Sequence, residues 1–489
     1  MSGRVLFLVV LFSSLGMVYS LALANAMACG ALAILMPEKV FNSNTASYTA
    51  ALTSYFSRQE QEVKPECVVI PQSTNDVSEI VATMTAFAWI GAQFAVRGGG
   101  HSIYAGAANI QGGVTIDLSS LNEVTVSPDK STVDLGPGGK WGAVYEVLDP
   151  LQITVSGGRD SDVGVGGYLL GGGMSYIGPL AGWACDNVVE YEVVLADGKV
   201  VNVNNDSYPD LFLALKGGGN NFGIVTRFTL KTHPLGNFWG GFLVYPITSI
   251  GQQIDSLSKF LGTQPYDPYA AMIQSWGYSS EMTVISDGIY YTQNVQSTPA
   301  VYQDFVDNST LMQSSLRTSN MSSFAAETDK YQAYSMRQGY YTTSFLHTPS
   351  IYSTIYDIFN TSLTSVSKVQ GINWYLTIQA TPALNGTNSL GLKPGNARLI
   401  NVLLTTCWSN ASDDAAVAAA AKSLISSIES ATRAAGVYQN YKYYNYADIS
   451  QEVISGYGSA SVEELRTVSK KYDVYGVFQN SVPGGFKLW

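Results

Sequence analysis

Histidine occurs three times and cysteine four times in 489 residues. So few imidazole and thiolate ligands leave little room for a metal centre, and four cysteines do not build a disulfide scaffold. There is no CxxC, no HExxH and no GxSxG with a credible histidine partner, which sets aside dithiol, zinc-protease and serine-hydrolase chemistry. Charge is also scarce: 13% of residues are charged, and 26 Lys and Arg stand against 37 Asp and Glu, a net −11. Neither nucleic acid nor an anionic membrane surface is an expected partner, because both need a concentrated basic excess. Beyond the N-terminus no apolar run approaches the roughly 20 residues that span a bilayer.

What the chain has in quantity is glycine (47), tyrosine (31) and apolar side chains (46%), the composition of a weakly charged globule of two or three regions able to bury a large ligand. Arg4, the apolar run Val5–Val18 and the small residues Ser20, Ala24 and Ala26 read as a secretory signal cut between about Ser20 and Ala26, taken as residues 1–24. Six N-x-[ST] sequons, at Asn205, Asn308, Asn320, Asn360, Asn385 and Asn410, agree with a glycosylated secreted product. In an oxidising compartment Cys29 and Cys67 are placed to clip an N-terminal helical segment to the first strand, while Cys185 and Cys407 read as buried free thiols.

Residues 27–63 read as helical. From 67 to 235, short β-rich runs (67–70, 93–96, 113–117, 132–135, 190–195, 223–230) alternate with glycine loops and the helices Thr74–Ile90 and Trp141–Leu148. Between 236 and 439 the segments lengthen, with strands 374–380 and 399–407 and a helix 413–435, and 440–489 returns to tyrosine- and glycine-rich sequence.

The glycine clusters carry the chemistry. Arg97-Gly98-Gly99-Gly100-His101-Ser102 follows a strand, so backbone N–H groups can approach phosphate oxygens with a histidine directly beyond. A second cluster runs Gly157–Gly167 through Asp162, Val163, Gly164 and Gly166 and on to Gly173; a third, Gly217–Gly223, leads into Ile224 and Val225. None is a G-x-G-x-x-G opening a helix, so a dinucleotide would be bound by something other than a Rossmann fold.

With Ala184–Val188 and the closing stretches Tyr443–Asp448 and Lys471–Asp473, these motifs resemble the berberine-bridge-enzyme-like branch of the vanillyl-alcohol oxidase superfamily, in particular its fungal secreted members. The likeness covers nearly the whole mature chain. It implies an α+β fold: a two-subdomain PCMH-type FAD-binding domain (60–236, completed by 440–489) and a substrate domain (237–439) with an antiparallel sheet backed by helices. It also implies FAD bonded through His101, held by residues 97–102, 162–167, 187, 223–225 and Asn445. Many relatives attach FAD a second time, through a cysteine where this chain has Asp160, so a single covalent bond is expected. Val163 falls where oxygen access to the flavin is gated. A tyrosine found in relatives two residues after the histidine is replaced by Ile103, with Tyr104 next.

For catalysis the resemblance points to Tyr443 as base or polariser, with Tyr446 and Gln379 as further candidates; Leu403 occupies a place where relatives carry a carboxylate. If 442–446 is extended, Tyr441, Tyr443 and Asn445 share one face, and Tyr444 and Tyr446 the other. Asn187 reads either as a contact to the adenosine end or as a turn-capping residue. The expected protein is a secreted monomer passing a hydride from an alcohol, sugar or secondary metabolite to FAD, with O2 as acceptor and H2O2 as product. A tailoring dehydrogenase or cyclase and a flavin-binding protein without turnover are the competing readings.

Overall fold

The computed structural model describes residues 21–279, 282–307, 310–384, 388–394 and 398–489. The expected leader therefore lies mostly outside the described residues, as do the sequons at Asn308 and Asn385.

Residues 27–63 do not form one helical stretch. A helix over 21–35 stops ahead of Pro37; a short strand, Val40–Phe41, then pairs with Cys67–Val69, and two helices follow, Ala46–Thr53 and Arg58–Glu62. Thr45 and Ser57 cap them by accepting from Tyr48 N and Glu60 N, so local caps divide what composition suggested was continuous. The first helix is part of the fold: Ala24, Ala28 and Leu32 enter a hydrophobic cluster. Asn25, 2% exposed, accepts from Gln93 N and donates to Gly112 O. A disulfide joins Cys29 to Cys67, tying this helix to the first strand, while Cys185 and Cys407 are free and buried.

The N-terminal domain has two sheets. Cys67–Val69, Val114–Asp117 and Phe94–Arg97 pair in parallel, with Val40–Phe41 antiparallel at the edge, and the helix Thr74–Ala88 carries the crossover. The second sheet is antiparallel, ordered Val124–Val126, Thr132–Leu135, Ile224–Lys231, Val188–Val194, Val200–Val203. The chain then crosses into an antiparallel sheet whose main path runs through Phe238–Pro246, Met282–Tyr291, Ala270–Ser279, Asn373–Ala380, Leu399–Trp408 and Arg337–Leu346. Period-2 alternation gives this sheet two faces. Trp374, Leu376 and Ile378, with Ile400, Val402 and Leu404 beside them, pack in one cluster with the helices Ile250–Gly262, Ile351–Val366 and Asp414–Ala434. Gln379, Asn401 and Leu403 fall on the other face. The architecture is two-domain α+β.

The C-terminal residues return to the first domain. Tyr441, Tyr443, Tyr457, Leu465 and Phe486 join its large hydrophobic cluster, and Val477, Phe478 and Val482 join the cluster under the parallel sheet. Among the described residues no helix is long and apolar enough to cross a membrane.

Candidate active site

Two glycine loops touch backbone to backbone. A Cβ on Gly99 would lie 2.4 Å from Gly164 Cα, and one on Gly164 2.5 Å from Gly99 Cα. Gly98 and Gly166 both abut the Pro137 carbonyl, and Gly166 N–H donates to it (3.2 Å). Only glycine permits three backbone segments to meet so closely. On Gly167, by contrast, a Cβ would meet nothing within 4 Å, so the packed loops border open space.

His101 ends the first loop. Its ring stacks on Phe56 (centroids 4.0 Å apart, 9° between planes), and its Nε2 is buried with no hydrogen-bond partner. Burial pulls its pKa down to about 4, against the opposing field of Asp162, so the ring is neutral at physiological pH and keeps a nitrogen lone pair. The second loop supplies Asp162, ion-paired with Lys140, and Val163, whose carbonyl accepts from Trp141 N (3.1 Å). Half-buried Ser102 continues the first loop.

A polar network joins three distant segments. Arg159 donates through Nη1 to Gln379 Oε1 (2.8 Å) and through Nη2 to Tyr446 Oη (2.9 Å), and Gln379 Nε2 donates to the same Tyr446 oxygen (3.3 Å). Burial works against the Arg159 charge, yet the surrounding Tyr446, Tyr168, Tyr176 and Tyr443 leave its pKa raised. Arg159 sits inside the second glycine cluster, but nothing in local sequence marks it as the link between a strand of the large sheet and the C-terminal segment.

Residues 442–446 are not extended: Tyr444–Tyr446 form a 3₁₀ turn, with Tyr446 N bonded to Tyr443 O. The turn brings Tyr443 and Tyr446 together, ring centroids 4.7 Å apart, instead of onto opposite faces. Tyr443 is 1% exposed, and its oxygen accepts from Gly173 N (3.1 Å) and Asn445 Nδ2 (3.0 Å). Burial raises its pKa far above the phenol range. Tyr446 is only half-buried.

Comparison with known proteins adds the family. A family described as an FAD binding domain matches residues 65–204. The FAD-dependent monooxygenase sdcF of Emericella nidulans is 35% identical over 488 residues, 96% of this chain and 99% of the relative. The chain belongs to the berberine-bridge-enzyme-like FAD oxidoreductases. The fold agrees with that of 6-hydroxy-D-nicotine oxidase from Arthrobacter nicotinovorans (TM-score 0.74, 20% identity, 91% of this chain and 97% of that one). It agrees also with that of a xylooligosaccharide oxidase from Myceliophthora thermophila in complex with xylobiose (TM-score 0.72, 19% identity, 94% and 100%).

A berberine-bridge-enzyme-like protein binds FAD and acts on a small molecule, and the residues here fit that cofactor: glycines leave backbone exposed for a diphosphate, and a neutral, unpartnered imidazole lies beside them. Other residues singled out in the sequence are occupied by the protein. Arg97 donates to Ala51 O, Ser54 Oγ and Asp117 Oδ2, so its guanidinium steadies the loop from behind. Asn187 donates to Ala181 O and Trp183 O, and its Oδ1 meets His233 Nε2 (2.8 Å), the turn-holding alternative. Gly223 packs against Val193 and Val194, with Ile224 and Val225 paired into the sheet beside them. Asn445 donates to Tyr168 O as well as Tyr443.

Proposed function

We propose that this protein oxidises an alcohol, a sugar or a secondary metabolite by hydride transfer to FAD held by a single covalent bond through His101, with O2 as the acceptor and H2O2 as the product. The observations that support this reading are the contact of the two glycine loops beside an unpartnered His101, and the Arg159–Gln379–Tyr446 network that starts from the second glycine cluster. Bound FAD supplies the hydride acceptor. Residues 97–100, 102 and 162–167 would hold it beside His101; Asn187, the 223–225 strand and Asn445 would support that frame. Both bonds that Tyr446 Oη receives are donated to it, which leaves its own O–H free to bind and polarise the reacting oxygen. Gln379 and Arg159 orient it, and Tyr443 packs behind.

A second reading, a tailoring monooxygenase or dehydrogenase on a hydrophobic metabolite, draws on the 35% identity to a chain named a monooxygenase. The test is a spectrum of purified protein before and after acid precipitation, followed by anaerobic mixing with a panel of alcohols and oligosaccharides. Yellow colour in the pellet, an FAD-sized mass on the His101 peptide alone and bleaching by a panel member support the oxidase. Colour in the supernatant removes the covalent claim, and bleaching only by hydrophobic compounds favours the tailoring enzyme.

We place the FAD domain at 60–236 and 440–489, the substrate domain at 237–439, and the protein outside the cell as a monomer. The buried Ala24 and Asn25 favour a leader that ends ahead of them over the 1–24 read from the sequence, so N-terminal sequencing of secreted protein should find a start between about Ser20 and Ala24. A start at Asn25 or later contradicts this.

A further inference from the structure

Polarising a hydroxyl does not remove its proton, and among the described residues the face of the large sheet that carries Gln379 presents no carboxylate to accept it; Asp287 lies on the opposite face. Leu403 lies on the same face as Gln379, two residues from Asn401, its cross-strand partner. A carboxylate does lie next to Arg159 in sequence, on the second glycine loop. Asp160 is 7% exposed. Its Oδ1 accepts from Asp162 N (2.9 Å) and the Gln332 side chain lies close by, but Oδ2 is buried and makes no hydrogen bond, and among the described residues no cation pairs with it. An enclosed carboxylate oxygen left unmet is costly unless a ligand meets it.

The titratable groups around Asp160 come from four elements. Asp162 lies on its own loop, already paired with Lys140; Asp329 ends the helix Met321–Asp329 and Tyr334, bonded to it, follows; Tyr176 comes from the first domain and Tyr340 from the strand Arg337–Leu346. Tyr334, which meets the His101 ring edge-on (centroids 6.5 Å apart), lies in the field of Asp160, and Tyr340 lies in the fields of both Asp160 and Tyr446, so Asp160 has neighbours on the side of the histidine loop and on that of the tyrosine network.

We propose that Asp160 is the proton acceptor of the reaction, an inference that rests on the oxidase reading above. As the substrate C–H bond breaks and its electron pair passes as hydride to the oxidised flavin, the O–H or N–H bond on the same carbon's heteroatom breaks as well. Its proton goes to Asp160 Oδ2, and its electron pair completes the C=O or C=N bond. Burial, with the nearby Asp329 and Asp162 charges adding to it, pushes the Asp160 carboxyl up to about 7 against the opposing pull of Asp162 N–H and the Gln332 side chain. That is close to where a general base works best near neutral pH.

Sulfite, an anion that binds oxidised flavin, probes the charge beside the cofactor without any known substrate. Because sulfite itself titrates near neutrality, wild type and Asp160→Asn are compared at each pH: the wild type should bind sulfite about as well as the variant below pH 7 and about tenfold or more weakly above it, as Asp160 ionises. With a substrate from the panel, anaerobic flavin reduction should rise to a plateau above pH 7 in the wild type. In Asp160→Asn it should be slower by about 100-fold with that limb missing, and Asp160→Glu should restore it in part. Asp160→Ser serves the same purpose if the amide variant does not fold. A variant that matches the wild type in sulfite titration or in its reduction profile overturns the role of Asp160, whereas a preparation carrying no flavin overturns the oxidase reading itself.

Discussion

His101→Ala should release all acid-stable flavin, turning a yellow acid pellet colourless while the soluble protein still binds some FAD from excess cofactor. Attachment needs a nucleophilic nitrogen, and burial keeps this imidazole neutral down to a pH of about 4. The two glycine loops stay in place, since Gly99 and Gly164 meet without help from the ring. The lost stacking on Phe56 should cost about 1–3 kcal/mol of stability, seen as a lower Tm. Turnover should fall about tenfold or more at limiting FAD and recover in part when FAD is added. Colour retained in the pellet of the variant would place the covalent bond elsewhere.

Arg159→Met should slow anaerobic flavin reduction by about 100-fold or more with FAD content unchanged. The guanidinium bonds both Gln379 and Tyr446, at 2.8 and 2.9 Å, whereas the direct Gln379–Tyr446 bond is longer, at 3.3 Å. Without it, Gln379 Oε1 loses its donor and Tyr446 keeps only the longer bond from Gln379. Arg159→Lys should recover little, because a single ammonium does not reproduce a planar fork reaching two acceptors. Stability should change much less than rate, since methionine fills the volume of the stem and removes a buried charge. A loss confined to KM would mean that Arg159 binds substrate without orienting Tyr446.

The local features of this protein were legible from residues alone. Glycines at 98–100 and 164–167 mark a close approach of backbone, although Val165–Leu170 turns out to be a short helix; the 3.6-residue pattern read over 74–90 is a helix, Thr74–Ala88, with one buried face, and Cys29 and Cys67 bracket a segment they staple. These depend on neighbours within a few residues, and the family likeness follows from their order. What tertiary structure decided was where distant segments meet. Residues 159, 379 and 446 come together because antiparallel registry turns Gln379 away from the helix-packed face and a 3₁₀ turn, not a strand, carries Tyr446 round to Arg159. Asn187 looked equally suited to a ligand or a turn until its partners were seen, and Asp160 acquired a chemical role only when burial left one of its oxygens unmet. Composition and periodicity set which residues are loop, helix and strand; long-range hydrogen bonding and desolvation, which no local window contains, set which of them share a site.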